Sequence, residues 1–346
     1  MKFQFDEQFL LDCFRKIAET PSPVGYSRLL NPVLEEYAAI FGHTLTYDNK
    51  NTPYLTLEGE DNSKTVLIGA HADTIGLMVR TVDNDGMIRV RNLGGVNFGS
   101  LEGETVTVHT RDGRTYTGLF ACQSHSVHVF DNARTLERDE KTMMVILDEK
   151  VSSKADVYAL GIRNGDYVSV EPRVQVTESG FLKSRHIDDK AAVACCFAMV
   201  KYLAEHGLKP KYRTILAFPY MEEIGMGGTY VPEGVSEYVA IDIGLIGPGY
   251  DGNEYAVSIC AKDNAAPYDF DLTTRLVNYA EKAGCDYAVD IFYRYGTDGT
   301  AALRAGNNLK AAAFGMAVYC SHGMERTHMD GLRNTMNLLL AYTLDI

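Results

Sequence analysis

Positive charge is scarce in this chain of 346 residues. Its 33 Lys and Arg stand against 46 Asp and Glu, a formal net charge of −13 at pH 7. A surface of that sign repels polyanions, so no nucleic-acid partner is expected. It suits a soluble protein that gathers cations. Long apolar runs are missing too, and none approaches the about 20 residues that cross a bilayer. Residues 1–7 lack the basic-then-apolar order of a secretory leader. No membrane partner is expected. The chain has no low-complexity tract and no repeat of obvious period. Its seven cysteines include no CxxC pair. Such an odd, irregular set reads as reduced thiols in a cytoplasmic protein, with Cys195 and Cys196 in the core of a helix.

What is present is a repeated device: an apolar strand with polar chemistry at its carboxyl end. Apolar content of 46% supports one large domain or two smaller ones. Residues 65–70 form a buried strand that ends in His71-Ala72-Asp73. Residues 214–218 form another, which ends in Glu222-Glu223 and a Gly-rich turn. A third, 237–244, carries Asp242 inside an apolar run, a costly place for a carboxylate unless it is paired or holds a metal. Asp188 and Asp189 open a long helix, 191–206, where one carboxylate suits the helix dipole and the second is surplus. The last strand-like run, 311–318, leads to His322 and His328. In open α/β sheets, sites form at the carboxyl ends of strands.

The rest of the chain fits around that device. Helical spacing covers residues 6–20, 27–41, 272–283, 301–305 and 334–344, and residues 45–47 and 53–57 read as a strand pair. Between Gly76 and Pro172 the texture changes to short strands, 87–90, 105–108, 115–120 and 167–170, separated by turns. This stretch predicts a small β-barrel or sandwich inserted into an α/β domain. His125 and His128 lie inside it and read as polar loop residues.

Together His71, Asp188, Glu222, Glu223, Asp242 and His322 make a chemically complete pair of metal sites. His71 and Asp242 would hold one ion, Glu223 and His322 the other, and Asp188 would bridge them. Asp73 would orient His71. Imidazole and carboxylate donors without thiolate suit two divalent ions, zinc first, with cobalt or manganese as alternatives. Glu222 would take the proton as a metal-bridging water attacks a carbonyl as hydroxide, then pass it to the leaving amine.

These motifs resemble the M42 family of metalloaminopeptidases, the glutamyl aminopeptidase and TET-like group of co-catalytic dizinc exopeptidases. Residues 71–79 are similar to its HxDxxGxxV stretch, 188–192 to its DDRxG and 222–228 to its EEVGxxG. Asp242, Gly296-Thr297-Asp298 and the segments 152–155 and 161–166 match further signatures. The resemblance implies a three-layer α/β/α sandwich with a mixed sheet plus the inserted β-barrel. Residues 1–75 and 173–346 would form the catalytic domain, and 76–172 an insert for dimerisation. It implies that Asp188 bridges the ions with a cis peptide to Asp189. His71, Glu223 and Asp242 would be terminal ligands and Glu222 the general base. It further implies short-peptide substrates and a homo-oligomer of dimers, commonly a dodecamer. Two departures stand out. Lys190 replaces the usual Arg, and Tyr319-Cys320-Ser321-His322 is one residue longer than the family's Tyr-x-His-Ser. His322 is the expected last ligand, with His328 as the rival.

The function expected is a metal-dependent aminopeptidase acting on short peptides. The alternatives are a deacylase or carboxypeptidase with the same dimetal chemistry, or an inactive metal-binding scaffold. Glu222 argues against the scaffold, because metal binding alone needs no base.

Overall fold

The computed structural model describes residues 2–346. The chain opens with helices α1 (Glu7–Ala18) and α2 (Leu30–Ile40) and strands β1 (Thr46–Tyr47), β2 (Pro53–Leu57) and β3 (Asp61–Gly69). Then come β4 (Gly76–Val82), β5 (Ile88–Leu93), α3 (Phe98–Leu101), β6 (Thr105–His109), β7 (Thr115–Cys122), β8 (Met143–Leu147), α4 (Lys154–Ala159) and β9 (Tyr167–Val170). The second half runs β10 (Gln175–Val176), β11 (Phe181–Ser184), α5 (Ile187–His206), β12 (Tyr212–Ala217), β13 (Val235–Ile241), β14 (Gly244–Leu245), β15 (Val257–Lys262) and α6 (Phe270–Ala283). It ends with β16 (Tyr287–Ile291), α7 (Asp298–Arg304), β17 (Lys310–Val318), β18 (Glu325–His328) and α8 (Met329–Leu344).

A mixed sheet forms the centre, in the order β1-β2-β12-β3-β13-β17-β15-β16, with β14 paired to β17. Strands β12, β3, β13 and β17 are parallel neighbours. Their carboxyl ends therefore share one edge, and that edge receives the chemistry. Alternation along the strands splits the core. Ile68, Leu216, Val239, Ile241 and Phe314 face the layer built from α1, α2, α5, α6 and α8. Leu67, Ala217, Tyr238, Ala240 and Ala313 face the other side, against α7 and its loops. The two outer layers are thus unequal in mass.

Residues 191–200 of helix α5 are apolar all round because that stretch is enclosed on all sides, while Ala204, Glu205 and His206 at its end are exposed. Its small residues Ala191, Ala192, Ala194, Cys195 and Cys196 are fully buried, and Phe197 stacks on Phe218 at 5.3 Å between centroids. All seven cysteines are free, and Cys320 alone is exposed.

The texture change after Gly76 corresponds to a closed antiparallel barrel, β4-β5-β8-β7-β6-β9, with its own core around Val90, Val106, Phe120 and Val145. Two of its strands, β4 and β8, go beyond the sequence reading. The run Met143–Leu147 lacks the polar alternation that marked the others, because it is buried at four of its five positions. A small ribbon, β10-β11-β18, was also not foreseen. It pairs Ser184, just before the Asp188 turn, with Glu325, just after His322.

Candidate functional site

The site is built where β3, β12, β13 and β17 end. His71 lies two residues past β3, Glu222 and Glu223 follow β12, Asp242 follows β13, and His322 sits in the turn after β17. Asp188 comes from the first turn of α5, where Asp188 and Asp189 have non-helical φ/ψ and a cis peptide joins them. Distant parts of the chain thus meet at one point.

The two imidazoles are held in the same way. His71 turns Nδ1 to the backbone oxygen of Asp73 at 3.0 Å, leaving Nε2 at 2.9 Å from Asp188 Oδ1. His322 turns Nδ1 to the backbone oxygen of Gly95 at 2.8 Å. Its Nε2 lies 3.5 Å from Asp188 Oδ2 and 3.2 Å from Glu223 Oε2. Asp188 therefore presents one oxygen to each imidazole. Fixing Nδ1 on a carbonyl while Nε2 faces carboxylates is the orientation of a metal-binding histidine.

Asp73 joins two parts of the site. Its carboxylate accepts from the backbone N–H of Glu222 at 3.1 Å and of Glu223 at 3.2 Å. The same carboxylate lies 3.5 Å from His71 Nδ1. One buried side chain thus sets both the imidazole and the turn that carries the two glutamates.

The donor set fits divalent cations. Ligand atoms of His71, Asp188 and Glu223 lie within 4.8 Å of one another, as do those of His71, Asp189 and Asp242. These groups share His71 and contain no thiolate. Burial, and then neighbouring carboxylates, push the carboxyl groups of Glu222, Glu223 and Asp242 above their ordinary range. Burial opposes charge on His71 and His322, yet the surrounding carboxylates raise both. The Oδ1 atom of Asp189 is buried with no hydrogen-bond partner among the described residues. The nearby Lys190 gives no relief. Its ammonium turns away to the carbonyls of Ile17 and Thr20, at 3.0 and 2.6 Å.

Comparison with known proteins assigns the chain to a family. Residues 52–338 match the M42 glutamyl aminopeptidase family. The chain belongs to the M42 family. It is 37% identical over 333 residues to YhfE of Bacillus subtilis, itself a proposed aminopeptidase, covering 96% of each chain. Among solved structures it is similar to aminopeptidase APDkam598 from Desulfurococcus kamchatkensis, with TM-score 0.87 and 23% identity over 98% of this chain and 95% of that one. It is also similar to the Pyrococcus horikoshii TET1 peptidase, with TM-score 0.82 and 23% identity over 97% and 100% of the two chains. At that identity the two structures establish the fold, a mixed α/β sandwich carrying a β-barrel.

Within this M42 chain the rival histidines separate. His328 caps α8, accepting from Asp330 N–H at 3.1 Å, and its Nε2 meets the Ser179 carbonyl at 2.8 Å. Its ring packs against Phe181 and Tyr255. His322 instead occupies the tip of a turn closed by the pairing of Tyr319 with Arg326. Cys320 and His322 in that turn both take positive φ. His125 and His128 are exposed on the barrel.

Several contributors were not evident from the sequence. Glu325, 2% exposed, accepts from Asp188 N–H at 3.0 Å and His322 N–H at 3.1 Å, tying the two together. Gly95, from the barrel, orients His322, and Ser100 Oγ, which donates to the Asn97 carbonyl at 2.8 Å, lies 3.4 Å from the His322 carbonyl. The barrel thus helps to build the site. Asp298 Oδ1 accepts from Gly228 N–H at 2.5 Å, holding the turn after the glutamates against α7. A signal for Asp298 existed in the Gly296-Thr297-Asp298 motif. None existed for Glu325 or Gly95.

Gly228 shows how tightly that turn is fixed. A Cβ there would lie 2.1 Å from the Asp298 carbonyl oxygen, so Gly228→Ala must move the turn. Displacement of catalytic groups by about 1 Å can cost ~10²-fold. Steady-state kinetics should therefore show kcat/KM falling by about that factor while circular dichroism stays unchanged.

Proposed function

We propose that this protein is a two-metal aminopeptidase that removes N-terminal residues from short peptides, with zinc the first choice of ion and cobalt or manganese the alternatives. The observation that supports it best is the pair of imidazoles facing opposite oxygens of Asp188. On this reading His71 and Asp242 would hold one ion, Glu223 and His322 the other, and Asp188 would contribute to both. When bound, the ions supply Lewis-acid polarisation of the scissile carbonyl and a water more acidic than bulk water.

The chain's own residues do the rest. Glu222 is not among the ligands on this reading, and its Oε2 lies 3.7 Å from His71 Nε2. Its raised pKa suits a group that accepts a proton from water and returns it to the leaving amine. Asp73 positions Glu222 through the backbone. A cleft of 740 Å³ opens over Asp188, Glu222, Glu223, Asp242 and His322, room for more than one residue of a peptide.

We also read residues 76–172 as a dimerisation insert in a catalytic domain formed by 1–75 and 173–346. Exposed Val127 and Val129 on the barrel, at 53% and 69%, support that reading. Dimers would build larger assemblies, since the Pyrococcus horikoshii TET1 peptidase can assemble into a tetrahedron or a large octahedral shell. The free thiols fit a cytoplasmic setting.

Substrate comparison tests the activity. Zinc- or cobalt-loaded protein should hydrolyse aminoacyl-anilides and free peptides from the amino end and leave N-acyl amino acids intact. Hydrolysis of N-acyl amino acids alone would replace this reading with a deacylase. No hydrolysis by fully metallated protein would leave a metal-binding scaffold.

A further inference from the structure

The turn that carries Glu222 and Glu223 has little apolar packing to hold it. Ile224, Met226 and Tyr230 are exposed, Met221 is half-buried, and the enclosed Gly227 and Gly228 have no side chain to pack. Two internal bonds close the turn, from Gly225 N–H to the Glu222 carbonyl at 2.6 Å and from Met226 N–H to the Met221 carbonyl at 2.9 Å. Asp73 fixes its first half, and Asp298 takes the Gly228 N–H. A further tie comes from a distant part of the chain. Lys50 Nζ donates to the Met226 carbonyl at 3.1 Å, the Gly227 carbonyl at 3.0 Å and Thr229 Oγ1 at 3.0 Å.

Local structure places that ammonium. Lys50 lies in the turn between β1 and β2. There Asp48 Oδ1 accepts from Lys50 N–H at 2.8 Å and from Thr52 N–H at 2.9 Å, and Tyr54 Oη donates to Asp48 Oδ2 at 3.1 Å. Strand β2 pairs antiparallel with β12, so the start of β2 stands beside the end of β12. The hairpin turn therefore reaches the sheet edge where the glutamates leave β12. An ammonium carries three N–H donors on one atom, and three oxygens of one turn take them. Its charge strengthens each bond relative to a neutral donor. Ordering the long lysine stem costs rotamer entropy. Three acceptors offset that cost only while they stay together, so the contact restrains the turn as well as the lysine.

We infer that Lys50 is a positioning residue that clamps the far half of the glutamate turn and so fixes where the Glu222 carboxylate stands. The inference rests on the aminopeptidase reading, in which Glu222 is the base. Lys50 does not line the cleft. It acts through the turn, so its removal should slow the chemical step and leave peptide binding alone.

A double-mutant cycle of Lys50→Met and Glu222→Gln, assayed at saturating zinc, tests this. Lys50→Met alone should lower kcat by about 10- to 100-fold, the order of loss expected when a catalytic group moves by about 1 Å or less, while KM stays within about twofold. In the Glu222→Gln background the same substitution should change kcat by less than about threefold, because no base remains to be displaced. An equal loss in both backgrounds would make Lys50 a general structural residue, and unchanged kcat in Lys50→Met would leave the clamp without effect. Either result overturns the inference, as does a rise in KM at unchanged kcat, which would make Lys50 a substrate contact. Hydrogen exchange reads the clamp without turnover. Amides of residues 222–228 should exchange about tenfold faster in Lys50→Met than in the wild type, the effect of losing one bond to a charged group. Unchanged exchange there also overturns the inference. If the wild type cleaves no peptide, the aminopeptidase reading fails, and hydrogen exchange still decides whether Lys50 holds the turn.

Discussion

Replacing Glu222 with Gln should lower kcat by ~10²–10⁴-fold, the usual contribution of a positioned general base, while metal content stays at the wild-type level. The substitution preserves size, and the turn survives because Asp73 holds it through the backbone N–H groups of residues 222 and 223. Metal content should survive because the proposed ligands, His71, Asp188, Glu223, Asp242 and His322, do not include Glu222. What is lost is an oxygen that can accept a proton in a buried place where neighbouring carboxylates, after burial itself, raise its pKa. Elemental analysis beside a single-turnover rate checks both halves. Normal turnover would remove Glu222 from the chemistry, and loss of metal would make it a ligand.

Asp188→Asn should be at least as damaging, but through the ions. Asp188 is the one carboxylate whose two oxygens face different imidazoles, at 2.9 Å from His71 and 3.5 Å from His322. Asparagine keeps the shape and the backbone N–H bond to Glu325 but removes the charge. Bound metal should fall from two ions per chain to one or none. The rate should drop by about 10²–10⁴-fold, the value of several kcal/mol of transition-state stabilisation by metal. Added zinc raises the melting temperature only of protein that binds it in the folded state. The rise seen for the wild type should therefore shrink in the variant. Retention of two ions with unchanged affinity would show that Asp188 does not join them.

The architecture was legible where one periodicity governs. Apolar strands with charged tips at 71, 222–223 and 242 pointed to a parallel sheet edge, because no stability argument explains carboxylates there. The barrel was visible as a change of texture, yet Met143–Leu147 escaped because a short apolar run cannot be told from a buried helix segment by periodicity, and no carboxylate or histidine at its end marked it as the runs at 65–70 and 214–218 were marked. Glu325 could not be found, since its partners are the backbone N–H groups of residues 137 and 3 positions away, and only the fold brings them together. Lys190 looked like an altered site residue. Its ammonium instead binds the end of α1.

Anomalous diffraction at the zinc edge, from crystals of zinc-loaded protein, tests the central claim most directly. Two peaks per chain are expected. One should lie among His71, Asp188 and Asp242, the other among His322, Asp188 and Glu223. A single peak, or density away from Asp188, such as at the exposed His125 and His128, would contradict the shared site.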